Sequence, residues 1–201
     1  MRPFRQAAGP IAPMDRVDVD TDQIIPKQFL KRVERTGYGT FLFHDLRYDE
    51  NGSPRADFVL NQPAYANAPI LVAGRNFGCG SSREHAAWAL SDFGFRAIVA
   101  PAFADIFLSN CYQTGLLPVT LSEEEVGTLL NRALETPGYR ATVDLQACTV
   151  QGEDGFVASF QIPPFRRECL LQGIDDVDLT LAQEDRIRSW EADFASEGLL
   201  P

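Results

Sequence analysis

The chain has 201 residues, 45% hydrophobic and 23% charged, the composition of a globular protein long enough to bury a sizeable core. With 28 Asp and Glu against 18 Lys and Arg, its formal charge of −10 argues against a nucleic-acid surface, although a local Arg can still meet an acidic substrate. No run reaches the about 18 apolar residues of a membrane helix, and no apolar stretch of a secretory signal follows Met1–Gln6.

Residues 1–26 read as extended and broken by Pro3, Pro10, Pro13 and Pro26, with Val17–Asp22 alternating like a strand edge. Asp18, Asp20 and Asp22 could ligate a metal, but they lack the Gly and Glu of a calcium loop and suit a solvated turn equally well. Lys27–Arg35 reads as a short basic helix stopped by Gly37 and Gly39, and His44 stands alone among aromatic residues. Asp49–Pro54 is rich in turn formers, and 61–69 is irregular.

Ala68–Ala73 then has the apolar content of a buried strand, and Ala86–Leu90 that of a helix ended by Gly94. Phe95–Ala100 and Leu116–Leu121 read as further strands, separated by a helix over Ala102–Thr114 that Gly115 closes. Ser122 and Glu125 form a capping box that opens a helix running to about Pro137. This alternation predicts an α/β fold with parallel strands and right-handed crossovers. Ala141–Val150 and Phe156–Ile162 flank Gln151–Gly155 as a hairpin, and helices follow near Arg166–Leu171 and about 182–194. No linker or repeat divides the chain, so one domain over 1–201 is expected.

The four cysteines, Cys79, Cys111, Cys148 and Cys169, form no C-x-x-C pair, which gives little support to a zinc or iron–sulfur site within this chain. Their scatter points to a reducing cytoplasm. Each reads as a small buried hydrophobe; Cys79 alone, inside a glycine loop, has some claim to chemistry.

That loop, Gly74–His85, is the part of the sequence with a chemical signature. Three glycines let the backbone turn sharply and approach another molecule. Ser81 and Ser82 follow at the expected start of a helix, where open N–H groups and the helix dipole attract anions, and Arg83 can grip a carboxylate through two parallel hydrogen bonds. The competing reading is a tight βα turn whose serine caps the helix and whose arginine faces water. Dinucleotide and phosphate-loop fingerprints are absent, because Arg83 stands where a third glycine belongs. A hydrolase elbow is absent too, and a triad would need His44 or His85. A serine can still act as a base where positive charge stabilises its alkoxide, which suits proton abstraction beside a carboxylate. Expulsion of hydroxide from the next carbon then calls for a Lewis acid from elsewhere.

Gly74–His85 resembles the signature of the small subunits of 3-isopropylmalate dehydratase, the detached swivel domain of the aconitase superfamily. The likeness extends to Asp20–Pro26, Ala104–Phe107, Gly115–Pro118, Glu168–Asp176 and Leu179–Leu181, and so covers nearly the whole chain. One departure is Thr114, where asparagine is expected before Gly115. The resemblance implies a swivelling β/β/α domain with a mostly parallel central sheet, ending in a C-terminal hairpin plus helices. It also implies a cytoplasmic subunit that binds no metal itself and closes over a 4Fe–4S cluster held by a separate large subunit. By the same carry-over Ser81 is the base, Arg83 the carboxylate clamp and Asp22 a polar neighbour at the catalytic centre. Gly80 and Ser82 contact the substrate, and Gln28, Phe29 and Leu30 lie in the segment that selects its side chain.

The implied activity interconverts 2- and 3-isopropylmalate, a small dicarboxylate, in leucine biosynthesis, with no role for nucleic acid or membrane. A sister hydro-lyase acting on homoaconitate or citraconate is the nearest alternative, and a non-catalytic anion-binding module a more distant one. Apolar Phe29 and Leu30 favour an apolar substituent over a third carboxylate, and the intact Ser81 and Arg83 argue against a mere binding module.

Overall fold

The computed structural model describes residues 1–32 and 34–196, the last two by their backbone alone. Its centre is a seven-stranded sheet of order β4-β3-β2-β1-β5-β6-β7. The strands are β1 (Gln6–Met14), β2 (Ile70–Ala73), β3 (Ala97–Ala100), β4 (Leu117–Thr120), β5 (Arg140–Asp144), β6 (Thr149–Gly152) and β7 (Val157–Ser159). The first four pair in parallel and the last three antiparallel. All of β2 and β3 is buried, as strands covered on both faces must be, and these are the apolar runs expected from the sequence.

The N-terminal segment departs from expectation. Instead of a broken extended stretch it forms β1 near the middle of the sheet, despite Pro10 and Pro13. Residues 6–10 pair with β5 and residues 11–14 with β2, so each proline falls where the chain has a paired neighbour along one edge only. Val17–Asp22 is not a strand edge either. Asp20 caps α1 (Thr21–Ile24), its carboxylate accepting from the Gln23 amide at 2.7 Å, which diverts the chain into a helical turn. Ala141–Val150 is likewise two strands rather than one. The Asp144 carboxylate accepts from the amides of Gln146 and Ala147, and Cys148 adopts a left-handed φ of 53°, which folds the run back on itself.

α2 (His44–Arg47) follows a 3₁₀ turn over Lys27–Lys31; position 33 of the expected basic helix lies outside the described residues. α3 (Glu84–Phe93), α4 (Asp105–Thr114) and α5 (Glu123–Glu135) cross between the parallel strands and out to β5. Both halves of the Ser122–Glu125 capping box are formed at the start of α5. α6 (Pro164–Gln172) and α8 (Glu184–Ser196) match the expected helices, while α7 (Asp176–Leu181) is an addition, started by an Asp175–Asp178 capping box. Among the described residues no helix is long and apolar enough to cross a membrane.

Alternation along the strands divides the interior in two. Ala12, Met14, Leu71, Ala73, Ile98 and Ala100 face α3 and the aromatic residues of the 38–65 region, while Ile11, Ile70, Val72, Val99 and Val119 face α5 and the C-terminal elements. The four parallel strands direct their C-terminal ends to one edge, the place where open α/β sheets put their ligand sites.

Candidate functional site

Beyond β1 and β2 the chain continues side by side as two extended segments. The amide of Gly74 donates to the carbonyl of Arg16, that of Asp18 to Arg75, that of Gly78 to Val19 and that of Thr21 to Cys79, at 2.8–3.0 Å. On its other flank the loop is tied to the end of β3, with Phe77 donating to Ala102 and Ala104 to Phe77. Two non-glycine residues are held left-handed here, Asp18 at φ 53° and Asn76 at φ 59°, and the Asn76 amide bonds the Asp18 carboxylate at 2.8 Å. The glycine loop is therefore a fixed cradle.

Gly78 shows why the cradle needs glycine. Its φ is +77°, and a Cβ there would fall 2.2 Å from Cγ of Phe107. Gly80 has φ +90° with space only for van der Waals contact against Asp20 and Thr21. Phe107 fills the hollow and stacks edge-on against Phe77, so the loop rests on a buried aromatic floor.

Ser81 and Ser82 are exposed beyond this turn, and neither caps the helix. α3 begins at Glu84 with Arg83 as its N-cap, and no side chain caps it. The serine cap of the competing reading is not formed, and a longer turn stands in its place. The buried Thr21 hydroxyl pulls the backbone outward by donating to the Ser81 carbonyl at 2.8 Å. Two consequences follow: the first amides of α3 stay open to an anion, and the Ser81 hydroxyl has no internal partner among the described residues.

The Arg83 side chain is only 14% exposed and turns back toward the aspartate segment. Its Nη2 donates to one Asp22 oxygen at 2.9 Å, and Nη1 lies 2.5 Å from the other. Nη1 is buried and has no other partner among the described residues. The hydrogen bond from Arg83 holds the Asp22 carboxyl below its ordinary pKa, helped by the charges of Arg83 and Lys27 against a smaller desolvation penalty.

A cleft of about 250 Å³ opens between this turn and the start of α4, lined by Thr21, Gly80, Ser81, Arg83, Ile106 and Phe107 among others. Ser82 also faces it. Asp22 reaches the cleft only through Arg83. Gln28, Phe29 and Leu30 lie outside its lining: Phe29 stacks on Phe41 at 4.2 Å between ring centroids, Leu30 packs on the core, and Gln28 bonds Asp45. Thr21, Ile106 and Phe107 are site residues that motif reasoning passed over. The signal for all three was the likeness itself, which takes in Asp20–Pro26 and Ala104–Phe107.

The remaining chemical candidates are placed elsewhere. Burial, then the charges of Asp20 and Asp18, push the Cys79 thiol above its usual pKa, the reverse of what a nucleophile needs. His85 packs against Tyr38 and Trp88, and no histidine bonds Ser81, so no triad is assembled. Thr114 spends its hydroxyl on the Asn110 carbonyl one helical turn back. Among the described residues, no group of three His, Cys, Asp or Glu is placed to hold a metal ion.

A family model described as the aconitase C-terminal domain matches residues 1–124, and a second, described as LeuD_N, matches residues 128–164. Curated relatives named 3-isopropylmalate dehydratase small subunit are similar over almost the full length. That of Koribacter versatilis is 56% identical over 191 residues, covering 95% of this chain and 98% of the relative. That of Brevibacillus brevis is 54% identical over 192 residues, covering 96% and 99%.

The chain belongs to the 3-isopropylmalate dehydratase small-subunit family.

A crystal structure titled 3-isopropylmalate dehydratase, from Methanocaldococcus jannaschii, superposes with a TM-score of 0.66 at 25% identity, covering 92% of this chain and 99% of that one. The family's α/β architecture is the one described above, with the glycine-loop signature at the C-terminal edge of its parallel strands.

Proposed function

We propose that this chain is the small subunit of a cytoplasmic, two-protein hydro-lyase that interconverts 2-isopropylmalate and 3-isopropylmalate in leucine biosynthesis. The observation that carries the reading is the placement of an unpartnered Ser81 hydroxyl beside a buried guanidinium and an uncapped helix start, all opening on one cleft. Ser81 takes the proton from the carbon next to a substrate carboxylate. The electron pair left on that carbon forms the double bond as hydroxide departs from the neighbouring carbon. Rehydration with hydroxide on the other carbon completes the isomerisation.

Arg83 and the first amides of α3 supply the positive field that stabilises the serine alkoxide. Arg83, which lines the cleft, receives a substrate carboxylate while Asp22 fixes the plane of the guanidinium. Ser82 and the Gly80 backbone complete the polar wall. Phe29 and Leu30 give the 27–31 segment a half-buried apolar character suited to an isopropyl group and unsuited to a third carboxylate. The departing hydroxide needs a Lewis acid, which we assign to a 4Fe–4S cluster on the large subunit.

The test is reconstitution. The chain mixed with the family's large subunit, its cluster rebuilt, is expected to turn over isopropylmalate in preference to homoaconitate, with neither protein active alone. Turnover by this chain without a partner, or a preference for the tricarboxylate, would contradict the proposal.

A further inference from the structure

A second hollow, about 440 Å³, adjoins the cleft along α3 and α4. Its lining follows that of the cleft along both helices. On α4, Ile106 lines the cleft, while Asn110 and Thr114, at i+4 and i+8, line the groove. On α3, Glu84 directly follows Arg83 and is joined by Trp88 one turn on. The far wall is the start of α7.

Three features of the groove are unspent. Asn110 is only 9% exposed, yet its Nδ2 has no hydrogen-bond partner, an expense for the free chain that an incoming acceptor would remove. The exposed Glu84 carboxylate enters no hydrogen bond or salt bridge among the described residues. Val177 on the far wall is 66% exposed, Leu181, one turn further along α7 and outside the lining, 60%, and Ile106 at the cleft end 55%. The groove is also acidic: Glu84, Asp175 and Asp176 outnumber Arg35, which lies over the Trp88 ring at 5.0 Å.

We infer that this groove is the docking surface for the large subunit. This rests on the two-protein reading above. The partner segment that fits presents a carbonyl to Asn110 Nδ2, a basic side chain to Glu84 and an apolar residue to Val177 and Leu181. Adjacency to the cleft supports that occupant, since whatever completes the catalytic centre must cover Ile106 and Arg83, and the groove starts one residue after Arg83 at Glu84 and one helical turn after Ile106 at Asn110.

Calorimetric titration of the large subunit into the full chain tests it, with thermal melts of each chain alone. Asn110→Leu removes the orphaned donor, so the free chain is expected to melt no lower than wild type while binding at least about tenfold more weakly. Glu84→Lys is expected to weaken association and to reverse its salt dependence. Val177→Asp, at an exposed position that does not bear on folding, is expected to weaken it similarly. Wild-type affinity in Glu84→Lys and Val177→Asp would overturn the groove while leaving the two-protein enzyme standing. A wild-type chain that fails to associate would overturn both.

Discussion

The Asp22 carboxylate faces both terminal nitrogens of Arg83, at 2.5 and 2.9 Å, and thereby joins the aspartate segment to the glycine loop. The guanidinium is largely buried while the carboxylate is half exposed, so the arginine is the fixed member and Asp22 its outer brace. As a partly exposed ion pair it contributes little to stability, and its value lies in the orientation of the fork.

That orientation is testable by two substitutions in the reconstituted enzyme. Arg83→Lys keeps the charge and loses the two-pronged geometry, so KM is expected to rise and kcat to fall. Asp22→Asn leaves Arg83 in place but loosens its brace, so KM is expected to rise with a smaller change in kcat. Unchanged KM in both variants would remove Arg83 from substrate binding.

The glycine cradle predicts a graded cost. Gly78→Ala forces an L-residue to a φ of +77° and a Cβ into the Phe107 ring, with an expected loss on the order of 3 kcal/mol. Gly155→Ala also has positive φ but meets nothing within 4 Å, so about 1 kcal/mol is expected. Urea unfolding of both measures the difference; equal losses would show that Phe107 yields freely.

His85 gives the stability a pH dependence. Burial against Tyr38 and Trp88 lowers its pKa, with Arg83 adding to the effect and Glu84 opposing it. The folded pKa is thus below the unfolded value of about 6.5, and the unfolded chain binds more protons between the two. Stability is full above about pH 6.5 and declines as pH falls through that window to the folded pKa. His85→Gln is expected to abolish this increment in unfolding curves taken from about pH 7.5 to about pH 5. A variant that follows the wild-type pH profile would refute it.

β2, β3 and β4 were readable because each is a short, mostly apolar run with Gly74, Gly94 or Gly115 at its margin. β1 was hidden by Pro10 and Pro13, whose strand-breaking tendency is neutralised where only one edge is paired. The turn at 145–148 was hidden because Asp144 and Cys148 make it, with neither Gly nor Pro to mark it. Within the site, Ser81, Ser82, Gly80 and Arg83 could be named from one contiguous motif, and they converge on the cleft. Asp22 joins them through Arg83 across 61 positions of sequence, a link that the resemblance suggested and composition could not. The helix start was misplaced by local propensity: serine is a favoured cap, but the Thr21 bond to the Ser81 carbonyl draws the turn outward and shifts the cap to Arg83.

The most direct measurement is the steady-state rate of the reconstituted enzyme carrying Ser81→Ala, taken beside thermal melts of the chain. The Ser81 hydroxyl caps no helix and has no partner among the described residues, so its loss is expected to leave the melting temperature unchanged. Removal of the base is expected to lower kcat by about 10²–10⁴-fold with little change in KM. A Ser81→Ala enzyme that turns over at the wild-type rate would contradict the assignment and give the proton to another group.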